Sequence, residues 1–180
     1  MAAVLTVTTA FVFAHNILYT YVAALLEPLN LEGRTDTVLL VLGLSSLVSI
    51  ALTGALIDRH LRALTLTACV LVALAALTLA AALLGPAAWP VYGAAAIWGL
   101  GFGGAATLLQ TSVADAAGTA ADLAQSLLVT CWNLGIATAA AAGGLLLDHA
   151  GPNSLPWSAL ALLGLALTVT ATARHHGFRV

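Results

Sequence analysis

Residues 64–84 read LTLTACVLVALAALTLAAALL, an unbroken run without a single charged side chain. At about 1.5 Å of rise per residue, a helix of that length covers about 30 Å, the thickness of a bilayer's hydrocarbon core. Lipid offers no water to the peptide groups, and a helix satisfies them all internally. Residues 157–173 form a second uncharged run of the same character. The whole 180-residue chain agrees, with 62% hydrophobic and 7% charged residues and a mean hydropathy of +1.06. Soluble domains carry roughly a quarter charged residues. With so few here, most of the outer surface must face lipid, and the expected fold class is all-α, a polytopic membrane protein.

Charge, Pro and Gly break the apolar sequence into six expected transmembrane helices, at about 3–26, 37–57, 64–84, 90–113, 123–147 and 156–173. They form one six-helix bundle. Polar connections are expected at 27–36, at 58–63 (DRHLRA), at Gly85-Pro86, at 114–122 and at 148–155. The N-terminal stretch lacks the basic region of a cleaved signal and reads as the first span. Six crossings place both termini on one side. Arg59, Arg62, Arg174 and Arg179 share that side, with only Arg34 opposite. Because arginines concentrate on cytoplasmic loops, both ends are expected in the cytoplasm, with the chain in the plasma or inner membrane.

The net charge of −2 gives no reason to expect nucleic acid as a partner. Cys69 and Cys131 lie inside apolar spans without metal-type spacing and read as packing residues. No cofactor or metal motif stands out. The glycine-rich segment around Gly99–Gly104 has no preceding strand, so it does not read as a nucleotide loop. Paired acids at depth, a serine with a matching histidine and a metal cluster are all missing from the pattern. The expectation is therefore a non-enzyme with no catalytic residues.

The spans differ in polarity. Apart from Trp157 at the start of the sixth, the third and sixth carry nothing more polar than Ser, Thr or Cys, whereas the first, fourth and fifth carry Asn, Gln, His, Tyr or Trp. Such groups are costly in hydrocarbon and turn toward a bundle interior or a watery cavity. In the first span Thr8, His15 and Tyr19, beside Thr9, Asn16 and Thr20, make a polar stripe. His15, Asn16 and Tyr19 are candidate cavity residues, with His15 as a possible titrating group. Trp98 and Gln110 in the fourth span, and Trp132 and Asn133 in the fifth, are the others. Helix-to-helix hydrogen bonding is the competing role for the first-span stripe, and packing for Trp132 and Asn133. Gly135/Ala139 and Ala140/Gly144 have the spacing of close helix packing. Every carboxylate (Glu27, Glu32, Asp36, Asp58, Asp115, Asp122, Asp148) falls at a span end or in a loop. In the 58–63 connection, Gly54, Asp58, Arg59 and Arg62 form the most specific local pattern, with Asp58 placed to cap a turn or pair with an arginine.

That pattern, Gly54-x-Leu56-x-Asp58-Arg59-x-x-Arg62, resembles the loop signature of the major facilitator superfamily, G-x-L-A-D-R-x-G-R-K, with Leu61 and Ala63 departing from it. WGLGFGGAATLLQTSVADAA and QSLLVTCWNLGIATAAAAGGLLLDHAG are similar to the tenth and eleventh helices of its arabinose-efflux-like permeases. The resemblance implies the C-terminal six-helix half of a bacterial drug- or sugar-efflux transporter. It implies central cavity-lining roles for the first and fourth spans, contact with the other half for the second and fifth, and lipid contact for the third and sixth. Gly54, Asp58, Arg59 and Arg62 would then form a cytoplasmic gate loop. A small-molecule substrate and a second six-helix half follow from it. That half would belong to a longer reading frame, to a separate chain or to a homodimer. The alternative expectation is a non-transporting or degenerate subunit that only packs against a partner bundle.

Overall fold

The computed structural model describes residues 1–85, 88–173 and 178. Pro86, Arg174 and Arg179, used above for a span end and for orientation, lie outside the described residues. Every regular element among the described residues is a helix: α1 (Ala2–Thr20), α2 (Val22–Leu26), α3 (Thr35–Leu84), α4 (Pro90–Phe102), α5 (Ala105–Ala117), α6 (Ala121–Ala150) and α7 (Ser154–Thr172). Short 3-10 turns at Glu27–Leu29, Glu32–Arg34 and Gly118–Ala120 join some of them. The all-helical fold class is thus observed. Four stretches are long and apolar enough to cross a membrane: Ala2–Thr20, Glu32–Leu84, Pro90–Ala150 and Ser154–Thr172. The two long ones are each broken within.

The break in α3 differs from the loop expected at 58–63. Two helical arms meet directly there, and His60 alone leaves helical geometry (φ −136°, ψ 29°). Asp58, Arg59 and His60 are exposed while Leu61 packs on the core, so one kinked residue turns the chain without a connecting excursion. Arg62 donates from Nη2 to the Ala171 carbonyl (2.9 Å) near the end of α7, rather than pairing with Asp58. A cation on the last carbonyls of a helix is favourably placed. The stretch expected as one helix over 90–113 is two, α4 and α5, separated at Gly103 and Gly104. Ser49 Oγ accepts a hydrogen bond from the Gly104 amide there (3.1 Å). α1 likewise stops at Tyr21 (φ −108°, ψ 22°) before α2.

Contacts fix the directions of the helices. Along α4, Gly99 meets Leu42 and Ser45, Gly103 meets Ser46 and Gly104 meets Thr53, so α4 runs parallel to the first arm of α3. Gly101 faces Ala68 and Val72, on the second arm, which returns past the kink. α4 therefore lies between the two arms. Its glycines let the backbones approach; a Cβ at Gly101 would stand 2.7 Å from Val72 Cγ2 and 2.9 Å from the Ala68 carbonyl. α1 packs against α6 and α7, with Val12 beside Gly135 and Tyr21 seated on Gly143. The Tyr21 hydroxyl donates to the Ala140 carbonyl across that contact.

The core is built from Val4, Phe11, Ile17 and Leu18 of α1 together with Val72, Trp98, Leu128 and Leu163 of its neighbours. The accessible surface of 8586 Å² is close to the roughly 8,100 Å² expected of a compact protein of this mass. Compactness leaves Leu40, Leu44, Leu47, Ile50, Leu56, Leu74, Leu145 and Leu165 exposed all the same. That surface is apolar by composition, as a lipid-facing surface is.

Two glycine substitutions separate the close-approach positions from the open ones. Gly99→Ala forces a methyl group to within 2.9 Å of Ser45 Cβ and against the Leu42 carbonyl, and is expected to cost about 1–3 kcal/mol. Gly54→Ala, where nothing lies within 4 Å, is expected to stay within about 0.5 kcal/mol. Thermal unfolding of both variants in the same detergent checks this, and equal midpoints would contradict the wedge of α4.

Candidate functional site

The first helix carries Phe11, His15 and Tyr19 at intervals of four, so all three rings share one face. α4 carries Trp98 and Phe102 at the same interval. Where the helices meet, His15 stacks on Phe102 with centroids 3.3 Å apart and planes 4° from parallel. Phe11 stacks on Phe102 from one turn below (6.0 Å), and Tyr19 stacks on His15 from one turn above (5.4 Å). Trp98 stands edge-on to His15 and donates from Nε1 to its Nδ1 (3.0 Å). An indole N–H only donates, so Nδ1 carries the lone pair and the His15 proton sits on Nε2. The expected titrating role for His15 must therefore begin with loss of the Trp98 bond.

The ring train continues to α6, where Trp132 lies 6.3 Å from Phe102. Beyond it a groove of about 240 Å³ opens between α5 and α6, lined by Ala106, Gln110, Leu128, Val129, Trp132 and Asn133. Gln125 Nε2 donates to the Gln110 carbonyl (3.0 Å), tying the two helices at one end of it. Asn133 donates from Nδ2 to the Val129 carbonyl (3.0 Å), which leaves its Oδ1 as an acceptor. Asn133 and Gln110 are both exposed.

The candidate residues thus fall into two connected groups and several isolated ones. His15, Tyr19, Trp98 and Trp132 join through Phe102, and Trp132, Gln110 and Asn133 share the groove. Trp98 is only 1% exposed, so its indole is a core group bonded to His15 and offers no surface to a solute in this conformation. Asn16 donates to the Val12 carbonyl of its own helix (2.9 Å) and joins neither group. Thr8 and Thr9 also bond back within α1 and diverge: Thr8 is buried, while Thr9 lines a separate groove beside α7. Gly54, Asp58 and Arg59 are exposed on the first arm of α3 just before its kink, and none of them joins the ring train.

Phe102 was absent from the sequence candidates, although its spacing from Trp98 matches that of Phe11, His15 and Tyr19. That matched interval on two apolar helices was the available signal. Among the described residues no three His, Cys, Asp or Glu side chains come together to hold a metal ion. No known family model matches the chain, and no curated protein or solved structure matches it.

The His15–Trp98 bond can be weighed by a double-mutant cycle. Trp98→Phe leaves a buried Nδ1 without its donor, and a destabilisation of about 1–3 kcal/mol is expected. The pair His15→Phe with Trp98→Phe removes donor and acceptor together and is expected to cost less than the two single losses summed. Simple additivity in thermal unfolding would show that the bond contributes nothing of its own.

Proposed function

We infer that this chain is one six-helix bundle of a secondary transporter of the major facilitator type. It moves a small organic solute outward across the plasma or inner membrane by alternating access with a second such bundle. On this reading α1 with α2, the two arms of α3, α4 with α5, α6 and α7 are six passes. The His60 kink and both termini face the cytoplasm. Gly54, Asp58, Arg59 and Arg62 then sit at a cytoplasmic gate.

One observation carries the reading. α6 buries only a narrow small-residue stripe, Ala124, Leu128, Gly135, Ala139 and Gly143, and turns Ser126, Thr130 and Asn133 outward. Ser126 and Thr130 bond back to their own helix, but Asn133 Oδ1 and the Gln110 amide beside it are left facing out of an apolar bundle. Polar amides facing lipid are costly, and transporters place such groups on a watery space between two bundles. The resemblance of residues 54–62 and 98–151 to major facilitator signatures supports the same assignment.

Accessibility tests the reading directly. In a Cys131→Ser background, cysteines placed at Gln110 and Asn133 are expected to react with a membrane-impermeant maleimide in vesicles. One at Leu74, exposed on the second arm of α3, is expected to stay unreacted in lipid. Protection of both groove positions would sink the carrier reading and leave a subunit that only packs against a partner. In cells where the parent chain confers dye efflux, Trp132→Ala is expected to lower the efflux rate about 10-fold, equivalent to roughly 1.4 kcal/mol.

A further inference from the structure

The groove between α5 and α6 combines three features with a common consequence. Its ring is Trp132, which lies tilted beside Phe102, the ring stacked on His15. Its polar groups are two amides, Gln110 and Asn133, and amides both donate and accept. Its remaining lining is aliphatic: Ala106, Leu128 and Val129. Nothing charged lines it.

The nearest carboxylates in sequence confirm how bare of charge the groove is. Asp115 lies five residues past Gln110, about 140° around the helix and on another face. Asp122 shares the face of Asn133 but stands eleven residues away, about 16 Å along the axis. Neither can pair with an ion held against Trp132. An ion moved into an apolar groove without a counter-charge keeps most of its desolvation cost, and the indole face offsets only a small part of it for a cation. A neutral molecule with one amide-like donor and acceptor meets two matching partners there. The volume of about 240 Å³ lies below the roughly 300–1,000 Å³ of sites for drug-sized ligands. One ring system fits it, stacked on the indole.

We propose that the groove between α5 and α6 selects uncharged, planar aromatic compounds bearing a single amide or similar hydrogen-bonding group, and discriminates against cations and anions of the same shape. The proposal rests on the transporter reading for its physiological meaning, but the binding preference is a property of the groove itself. Trp132 supplies the stacking face, Gln110 and Asn133 read the polar group, and the missing counter-charge excludes ions.

Three probes with one ring system test it: 2-naphthamide, 2-naphthoate and 2-naphthylmethylammonium, titrated against the full chain in lipid nanodiscs by calorimetry. The amide is expected to bind at least 10-fold more tightly than either ion. Gln110→Leu combined with Asn133→Leu is expected to abolish that preference, and Trp132→Ala to weaken all binding of the amide. Circular dichroism and size exclusion verify that each variant remains folded, and Gln110→Asn, which keeps an amide, is expected to retain part of the preference. Equal or tighter binding of the ammonium or the carboxylate overturns the proposal, as does no binding of the amide. Selective amide binding by a chain that moves no solute would defeat the transporter reading and leave the selectivity standing. Transport of ions through reactive groove positions would do the reverse.

Discussion

Where α4 passes between the two arms of α3, Gly99 and Gly103 bring it against the first arm and Gly101 against the second. In a bilayer, lipid tails are as apolar as leucine, so burying apolar surface against a neighbouring helix gains little. Close van der Waals packing and interhelical hydrogen bonds remain. The glycines supply the first, and the Ser49 bond to the Gly104 amide supplies the second at the point where α4 gives way to α5. This placement of α4 brings Trp98 and Phe102 to α1, and with them the stacked rings and the indole–imidazole bond. A bulkier residue at Gly99 or Gly103 would move those rings away from His15. The ring train thus depends on the side chains missing at Gly99, Gly101 and Gly103.

Hydroxyl and amide side chains meet the same environment differently. Thr8, Thr65, Ser112 and Thr170 are buried, and each donates to the carbonyl four residues earlier in its own helix. A short hydroxyl satisfied this way asks nothing of its neighbours, so Ser and Thr occur freely along the apolar helices. Asn, Gln and His carry more hydrogen-bonding capacity than one backbone carbonyl can absorb, and the single indole N–H of Trp needs an acceptor of its own. His15 and Trp98 resolve it by bonding each other. Asn133 resolves half of it at Val129 and leaves an oxygen over. Asn16, bonded to Val12 in the same way, also keeps an oxygen, so what sets Asn133 and Gln110 apart is that they share one groove.

Helical content and apolar runs were legible because composition alone excludes a water-facing surface and only helices satisfy the backbone of such a chain in lipid. The points where helices bend were less so. DRHLRA reads as a loop by its charge, yet charge requires only that side chains reach water, and Asp58, Arg59 and His60 do so from a kinked helix. The Gly103–Gly104 break was hidden for the opposite reason: glycines inside an apolar run read as packing, and at these two positions they pack and also end a helix. Polarity singled out His15 and Trp98 separately. It could not pair them, because which faces meet depends on the wedge of α4. Phe102 escaped for want of polarity, although it is the ring that connects the others. Asn16 shows the converse, a mid-helix amide that stands out by type and turns back onto its own helix.

The exposed surface itself argues for a division of labour. The first arm of α3 exposes Leu40, Leu44, Leu47, Val48, Ile50 and Leu52, which cost nothing against lipid and equally little against a dry partner helix. α6 also exposes Leu123, Val129, Leu134 and Leu145, but interleaves them with Ser126, Thr130 and Asn133. A helix wholly in lipid gains nothing from that mixture, and a helix wholly in water would not carry so many leucines. In the proposed carrier, this surface, apolar along its edges and polar along one line, would be the seam on which the second bundle closes. In the proposed carrier the Trp132 groove opens onto that line, so the ring train would connect the tightly packed interior of this bundle to the space where a solute passes. Rigid packing behind Trp132 and unmet hydrogen bonds in front of it would serve that proposed half-site.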